Sequence, residues 1–174
     1  MLIAFGGLPG TGKSTVAQLL ARELAAVYLR IDTLEQALMT SESGRTDIGP
    51  AGYLAAYAVA GDNLRLGLTV VADSVNSVHI TRRARRKVAS DAGVPIFEIE
   101  LVCSDGTTHR QRVEGRKADI PGFQLPTWKS VLERRYEPWE SVHLVVDTAK
   151  VSVEQAVEAI MQLLSPASPQ TRTV

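Results

Sequence analysis

The sequence has 174 residues, 45% of them hydrophobic, and its 19 basic and 19 acidic side chains balance to a net charge near zero. The length suits one domain of about 100–200 residues, and the balanced charge does not favour a globally basic nucleic-acid binder. Cys103 is the single cysteine, which excludes an intrachain disulfide and is typical of a reducing compartment. The amino terminus lacks the regions of a signal peptide, and no apolar stretch reaches the roughly 20 residues of a membrane span. We therefore expect a cytoplasmic protein without membrane contact, as a monomer or a homodimer.

Short apolar runs alternate with longer amphipathic segments along the chain. The apolar runs predict five strands, at residues 2–6, 27–31, 68–72, 95–102 and 142–146. Apolar positions at helical spacing predict helices at residues 15–24, 33–39, 78–91 and 151–164. A further helix is predicted to start at Pro50, with its apolar stripe formed by Tyr53, Tyr57, Ala60 and Leu64. This alternation predicts an α/β domain over residues 1–164, built on a parallel sheet with helices on both faces.

Two segments depart from this alternation. The polar stretch 115–126 holds two prolines and two glycines, and irregular inserts of this length in a domain are often functional. We interpret residues 115–127 as a short lid. Residues 165–174 are rich in proline, serine and threonine, which predicts a disordered tail.

The first loop of the chain carries a phosphate-binding pattern. The pattern G-x-x-x-x-G-K-[ST] is matched by Gly7, Leu8, Pro9, Gly10, Thr11, Gly12, Lys13 and Ser14. Glycines at these positions let backbone N–H groups curl around phosphates, and the helix that follows points its positive end at them. Lys13 is then expected to bridge the β- and γ-phosphates, and Ser14 to ligate Mg²⁺. The loop lies after an apolar strand and before a helix, as this motif requires, so we expect ATP and Mg²⁺ as cofactors.

Two acids are predicted at strand ends, where open α/β sheets place their sites. Asp73 follows the apolar run 70–72, and it is a candidate either for holding Mg²⁺ through water or for contacting the acceptor. Asp32 ends the second predicted strand and is the better candidate for the base that takes the acceptor's proton. The alternative for Asp32 is a helix N-cap, a role that aspartate favours.

Basic residues near the predicted lid are candidates for contacting phosphates. Arg112 and Arg116 are four residues apart and would share one face of a helix. Arginines delivered by a closing segment stabilise a transferred phosphoryl group, although a solvated helix end would also carry them. A second basic run, residues 82–87, is expected to face solvent from a helix that turns Ile80, Ala84 and Val88 inward. That run is the only argument for a nucleic-acid substrate.

Together these segments resemble a known family. The resemblance rests on the segments 6–15, 29–32 and 70–73, the pair Arg112 and Arg116, and the string Tyr136-Glu137-Pro138-Trp139. They are similar to the AAA_33 or zeta-toxin-like P-loop kinases, a group that includes polynucleotide 5′-hydroxyl kinases and chloramphenicol phosphotransferase. Adenylylsulfate and gluconate kinases are more distant members of the same group.

This resemblance implies a P-loop three-layer sandwich with a five-stranded parallel sheet of order 2-3-1-4-5. It implies catalytic roles for Asp32, Asp73 and Arg116, with Asp32 activating the acceptor hydroxyl and Arg116 as the lid arginine, beside the role that the loop pattern predicts for Lys13. The predicted metal contacts are Ser14, from the loop pattern, and Asp73, from its position at a strand end. The implied nucleotide contacts are the loop residues 7–14 named above, together with Thr15 and, near the adenine, Arg112.

One residue departs from the family pattern. Polynucleotide and adenylylsulfate kinases carry an arginine three residues after the acid, where this chain has Glu35. The departure favours a neutral hydroxylated acceptor over a phosphorylated one.

We therefore expect an ATP-dependent kinase that acts on a hydroxyl of a small molecule. One alternative is a polynucleotide 5′-hydroxyl, nucleotide or adenylylsulfate-type kinase, for which nucleic acid remains possible but is not favoured. Another alternative is a nucleotide-binding protein without catalysis.

Overall fold

A single parallel sheet organises the chain. The computed structural model describes residues 1–41 and 48–165. Within them, five strands pair in the order β2-β3-β1-β4-β5, and every pairing is parallel. The strands are β1 (Leu2–Gly6), β2 (Val27–Arg30), β3 (Val70–Asp73), β4 (Ile96–Val102) and β5 (Leu144–Asp147). The predicted P-loop sandwich and its strand order are confirmed.

Helices cover both faces of the sheet. They are α1 (Lys13–Glu23), α2 (Ile31–Ser41), α3 (Ala51–Arg65), α4 (His79–Asp91), α5 (Gly106–Gly115), α6 (Trp128–Leu132) and α7 (Val153–Leu164). Apolar residues of α1 and α7 pack against one face in a cluster that includes Phe5, Leu20 and Ile160. Residues of α3 and α4 pack against the other face, around Leu2 and Leu64. Each face is thus closed by an apolar helix stripe, as a parallel sheet requires.

The strand register brings the carboxyl ends of β1, β2 and β3 to one edge of the sheet. β1 lies at the centre with all five residues buried, paired with β3 from Leu2↔Val70 onward and with β4 on its other side. Arg30 at the end of β2 lies opposite Asp73 at the end of β3. Since parallel strands end at one edge, the loop after β1 starts at the same edge of the sheet as both residues.

The segment between β4 and β5 holds two helices, α5 and α6, for which the apolar pattern predicted no bounds, although the pair Arg112 and Arg116 presupposed one helix there. Helix α5 is capped by Asp105, whose carboxylate accepts a 3.0 Å hydrogen bond from the N–H of Thr107. It ends at Gly115, and Arg116 is already extended, so Arg112 and Arg116 do not share a helix face as predicted. Residues 116–127 contain no helix or strand, in keeping with an irregular insert. Most of the predicted tail, residues 166–174, lies outside the described residues.

The prediction for the basic run on α4 is wrong. Arg82 and Arg85 are 1% and 2% exposed, whereas Ile80 is 69% exposed. The inward face of this helix covers the ends of β1 and β3 and the irregular chain after β3, whose carbonyl groups accept from its arginines. Arg85 donates to the carbonyl oxygens of Phe5 and Ala72, at 3.1 and 3.5 Å, and also to Ser74 Oγ.

Arg82 satisfies a second set of carbonyl groups. Its Nη1 and Nη2 donate to the carbonyl oxygens of Pro138 and Glu137, each at 2.7 Å, and its Nε donates to that of Asn76 at 3.0 Å. The guanidinium also lies 4.2 Å from the centre of the Trp139 ring. Because both arginines are buried, two of the charges in the basic run cannot bind phosphates of a nucleic acid at the surface. The argument for a nucleic-acid substrate is weaker for that reason.

Candidate active site

The loop between β1 and α1 is shaped by its glycines. Gly7, Gly10 and Gly12 have φ of 131°, 85° and 86°, a region that other residues rarely adopt. A methyl group on Gly7 would come within 2.2 Å of the Leu101 carbonyl oxygen, and one on Gly10 within 2.5 Å of Val113 Cγ2. Both the backbone angles and the lack of space therefore require glycine at these two positions.

Helix α1 opens directly onto this loop. It begins at Lys13 after Gly12, and no side chain caps it. Its first N–H groups and the positive end of its dipole therefore face the space above the loop, an arrangement that suits an anion.

Helix α5 supports the turn of the loop from outside. The Nε2 of His109 lies 2.7 Å from the carbonyl oxygen of Pro9. A carbonyl oxygen only accepts hydrogen bonds, so Nε2 carries the proton and donates. His109 is buried, and its ring meets the edge of Trp128 with centroids 5.1 Å apart.

Further contacts fix both ends of the loop. Thr148, just after β5, donates from its Oγ1 to the carbonyl oxygen of Thr11 at 3.0 Å. Arg112 in turn donates to Thr148 Oγ1 at 2.8 Å and to its carbonyl oxygen at 3.0 Å. At the start of the loop, a methyl group on Gly6 would come within 2.5 Å of Trp139 Cζ2, so the indole packs against that backbone.

A cavity of about 650 Å³ opens over the loop. It is bounded by the loop and α1, by the segment after α5, and by the turn that leads into α7. Its lining includes Gly10, Gly12, Lys13, Ser14, Thr15, Gln18, Arg112, Arg116, Lys117, Asp119, Thr148, Val151 and Ser152. The sequence-predicted residues Lys13, Ser14, Thr15, Arg112 and Arg116 are thus brought together around one cavity.

Lys13 is buried beneath this cavity. It is 7% exposed, and its Nζ donates to the carbonyl oxygen of Leu8 at 2.7 Å. Burial lowers its pKa from 10.5 to about 8, although the nearby Asp73 and Asp32 favour the charged form. Arg116 and Arg134 lower the same pKa, so cations and acids surround one ammonium group.

Asp73 is held at the end of β3. It is 2% exposed, and Tyr28 donates a 2.7 Å hydrogen bond from its hydroxyl to Oδ2. Burial and this carboxylate together raise the pKa of the Tyr28 hydroxyl. Tyr28 therefore stays a donor and fixes the orientation of the Asp73 carboxylate.

Asp32 lies in the first turn of α2, which begins at Ile31. It is therefore inside the helix rather than at its N-cap, the alternative that the sequence left open. Burial, and then the charge of Asp73, raise the pKa of Asp32, while Arg30, Lys13 and Arg116 oppose that shift. Among the described residues, its carboxylate accepts no hydrogen bond. Asp32 and Asp73 do not line the cavity, and they act on Lys13 through their charge.

Asp119 links two arginines at the edge of the cavity. The Nη1 and Nη2 of Arg30 donate to its two carboxylate oxygens at 2.6 and 3.1 Å, and Arg116 Nη2 lies 3.5 Å from Oδ1. The hydrogen bond from Arg30 lowers the pKa of Asp119 to about 2. The segment after α5 is thereby tied to the end of β2.

Sequence reasoning missed four residues of this site: His109, Thr148, Arg30 and Asp119. His109 and Thr148 act on backbone atoms of the loop, and no spacing in the sequence reveals such contacts. Arg30 alone offered a weak signal of a buried ion pair. An arginine within an apolar strand is buried and therefore needs a polar partner.

The described residues contain no group of three or more histidine, cysteine, aspartate or glutamate side chains arranged to hold a metal ion. Nor does any described helix have the length and apolar character needed to cross a membrane.

Comparisons with known proteins agree with the fold. The AAA_33 family model, an AAA domain, matches residues 2–138. A candidate kinase from Chloroflexus aurantiacus has 24% sequence identity and a TM-score of 0.76, with 94% of this chain and 98% of that one covered. The APS kinase CysC of Mycobacterium tuberculosis, solved with AMPPNP and APS, has 22% identity and a TM-score of 0.69, with coverage of 94% and 96%.

A gluconokinase from Sinorhizobium meliloti is also similar, with 22% identity, a TM-score of 0.63 and coverage of 92% and 91%. At these identities the likeness establishes the fold. No curated protein matches the sequence.

Proposed function

The chain belongs to the AAA_33 family, and from that premise we propose that it is an ATP-dependent phosphotransferase that acts on a hydroxyl of a small molecule. One observation carries this proposal. The glycine-shaped loop and Lys13 lie beneath a cavity of about 650 Å³, and the charges of Asp32, Asp73 and Arg116 all act on Lys13 from nearby. Phosphoryl transfer needs this combination of anion cradle, cation and base.

Nucleotide binding is assigned to the loop residues 7–14, with Thr15 and Arg112. The uncapped start of α1 and the bent glycine backbone direct N–H groups at the phosphates. Lys13 exchanges its contact with the Leu8 carbonyl oxygen for the β- and γ-phosphate oxygens. Arg112 lines the same cavity with Thr148 and Val151, and we assign it to the adenosine end of the nucleotide.

The donors present fit a Mg²⁺ ion. Asp73 commits Oδ2 to Tyr28 and keeps Oδ1 for a metal or its water. Ser14 lines the cavity, and its hydroxyl has no hydrogen-bond partner among the described residues. Oxygen ligands of this kind are those that Mg²⁺ prefers. When bound, Mg²⁺ would neutralise charge on the β- and γ-phosphates.

Asp32 is assigned as the general base. The acceptor oxygen forms a bond to the γ-phosphorus as the bond from that phosphorus to the β–γ bridging oxygen breaks, and ADP leaves with the electron pair. The hydroxyl proton passes to the Asp32 carboxylate, which has no other donor among the described residues. Burial of this carboxylate raises its pKa, which makes it a stronger base than an exposed aspartate.

The segment 115–127 is assigned as a lid, with Arg116 as its phosphate-contacting residue. Arg116 lines the cavity with Lys117 and Asp119, on irregular chain that follows α5. A cation carried by such a segment neutralises the transferred group only after closure, when water is excluded.

The test is a panel of hydroxylated metabolites, antibiotics and oligonucleotides incubated with the protein and labelled ATP. We expect label to enter a small-molecule hydroxyl, and transfer to be lost in Asp32→Asn. Tight ATP binding without transfer to any class would favour the non-catalytic alternative. Transfer to an oligonucleotide end would favour the polynucleotide kinase.

A further inference from the structure

Arg30 is a buried cation with one carboxylate partner. Its side chain is 6% exposed, and two of its nitrogens donate to Asp119. Its third nitrogen, Nε, is buried and has no hydrogen-bond partner among the described residues. The guanidinium thus presents a two-pronged oxyanion contact, and its Nε–H stays unpaired among the described residues.

The carboxylate that occupies this contact comes from the surface. The Asp119 side chain is 52% exposed, and it lies on the irregular segment 116–127. Because the next residue, Ile120, is buried, Asp119 can leave Arg30 without disturbing the core only by rotating its exposed side chain. Departure would, however, leave the buried guanidinium of Arg30 without a hydrogen-bonded carboxylate, since Asp73 and Asp32 act on it through charge alone, and buried donors without acceptors are unfavourable. The position therefore suits another oxyanion whenever Asp119 leaves.

The same position adjoins the proposed acceptor site. Arg30 lies opposite Asp73 in the sheet register and precedes Asp32 by two residues. Asp119 lines the cavity that contains Lys13 and Arg116. An acceptor whose hydroxyl reaches Asp32 can therefore place an anionic group near Arg30.

We propose that Arg30 is an oxyanion-binding site that Asp119 fills in this structure, and that Asp119 yields it to an anionic group of the acceptor. The group is a carboxylate, a sulfate or a phosphate, each of which matches the fork of a guanidinium. This inference rests on the proposed function and narrows its substrate class. Glu35 on α2 suggested a neutral acceptor. The anion contact proposed here comes instead from Arg30 on β2, so the proposed acceptor carries an anionic group.

The experiment is a titration of the full-length protein with inorganic sulfate, followed by NMR of the Arg30 Nε–H group. That signal is assigned by its loss in Arg30→Lys, which retains the positive charge. The titration is run with ADP bound and again with AMPPNP bound, for the parent and for Asp119→Asn. The matched control is Asp62→Asn, which removes an acid paired with Arg65 on the exposed surface of α3.

We expect sulfate to shift the Arg30 signal in both nucleotide complexes. Asp119→Asn should bind sulfate about tenfold more tightly than the parent, since an internal carboxylate at high effective concentration no longer competes. Asp62→Asn should match the parent. Equal affinity in all three proteins, or no shift in Asp119→Asn, would overturn the proposal.

The two nucleotides separate the possible sources of the anion. If AMPPNP abolishes sulfate binding while ADP permits it, the site belongs to the γ-phosphate and the acceptor assignment is wrong. Failure of both nucleotides to bind would contradict the proposed function instead. Titration of the chain alone would then still decide whether Arg30 binds an oxyanion.

Discussion

His109 donates a 2.7 Å hydrogen bond to the carbonyl oxygen of Pro9, which ties a helix outside the sheet to the turn of the glycine loop. This hydrogen bond fixes the peptide unit at Pro9, next to Gly10, which lines the cavity. The conformation of the loop therefore depends on α5 as well as on its own glycines.

Removal of this hydrogen bond should weaken nucleotide binding. We expect His109→Phe to raise the dissociation constant of ADP about five- to tenfold, the effect of one lost hydrogen bond. His109→Gln should restore most of the affinity, because the glutamine amide also donates. Isothermal titration calorimetry measures both, and His79→Gln, a change on α4, is the control. Equal weakening by Phe and Gln would show that shape rather than donation matters.

Replacement of the proposed base should separate transfer from binding. We expect Asp32→Asn to slow phosphoryl transfer by about 10²–10⁴-fold and to change ADP affinity by less than about threefold. Asp62→Asn should leave both unchanged. Comparable transfer by Asp32→Asn and the parent would exclude Asp32 as the base.

Transfer should also depend on pH through the same carboxylate. A base acts only when deprotonated, and burial raises the pKa of Asp32. The rate should therefore fall as the pH drops through that raised pKa, above the usual range for aspartate. A kcat–pH profile checks this, and a profile that stays flat across the acidic range would contradict it.

Nucleotide affinity should fall in alkaline solution. The Lys13 ammonium loses its proton as the pH rises through about 8, so the cation is fully present below that value. We expect the dissociation constant of ADP to be constant below about pH 8 and to rise by up to roughly tenfold per pH unit above it. Lys13→Met should bind weakly with no such rise. A parent curve that stays flat to pH 10 would contradict the role of Lys13.

Loss of an internal arginine should destabilise the fold. Arg85→Met leaves the carbonyl oxygens of Phe5 and Ala72 without this donor, and we expect the free energy of unfolding to fall by about 2–4 kcal/mol. Arg83→Met, on the exposed face of the same helix, should change it by less than about 0.5 kcal/mol. Urea denaturation followed by circular dichroism compares the two, and similar midpoints would rule out a structural role for Arg85.

The sheet was predictable because its signal is local. Apolar runs such as residues 2–6 identified the strands, and the glycine pattern identified the loop between β1 and α1. Boundaries shifted by a few residues. Leu68, for example, precedes β3 and is 44% exposed.

The charged interior was not predictable in the same way. The periodicity of α4 assigned its apolar residues inward, but Arg82 and Arg85 are buried because distant carbonyl groups at 5, 72, 137 and 138 need donors. Such a requirement arises only after the chain has folded. For the same reason, the sequence did not reveal that Asp119, 89 residues from Arg30, is its partner.

The chain has two tryptophans, and both lie beside the glycine loop. Trp139 packs on Gly6 where the loop begins, and Trp128 contacts His109, which holds its turn. Trp139 adjoins the start of the loop directly and Trp128 adjoins it through His109, so we expect movement of the loop to change the surroundings of the indoles. The protein consequently carries its own optical reporter, and its intrinsic fluorescence can follow occupation of the loop without a label.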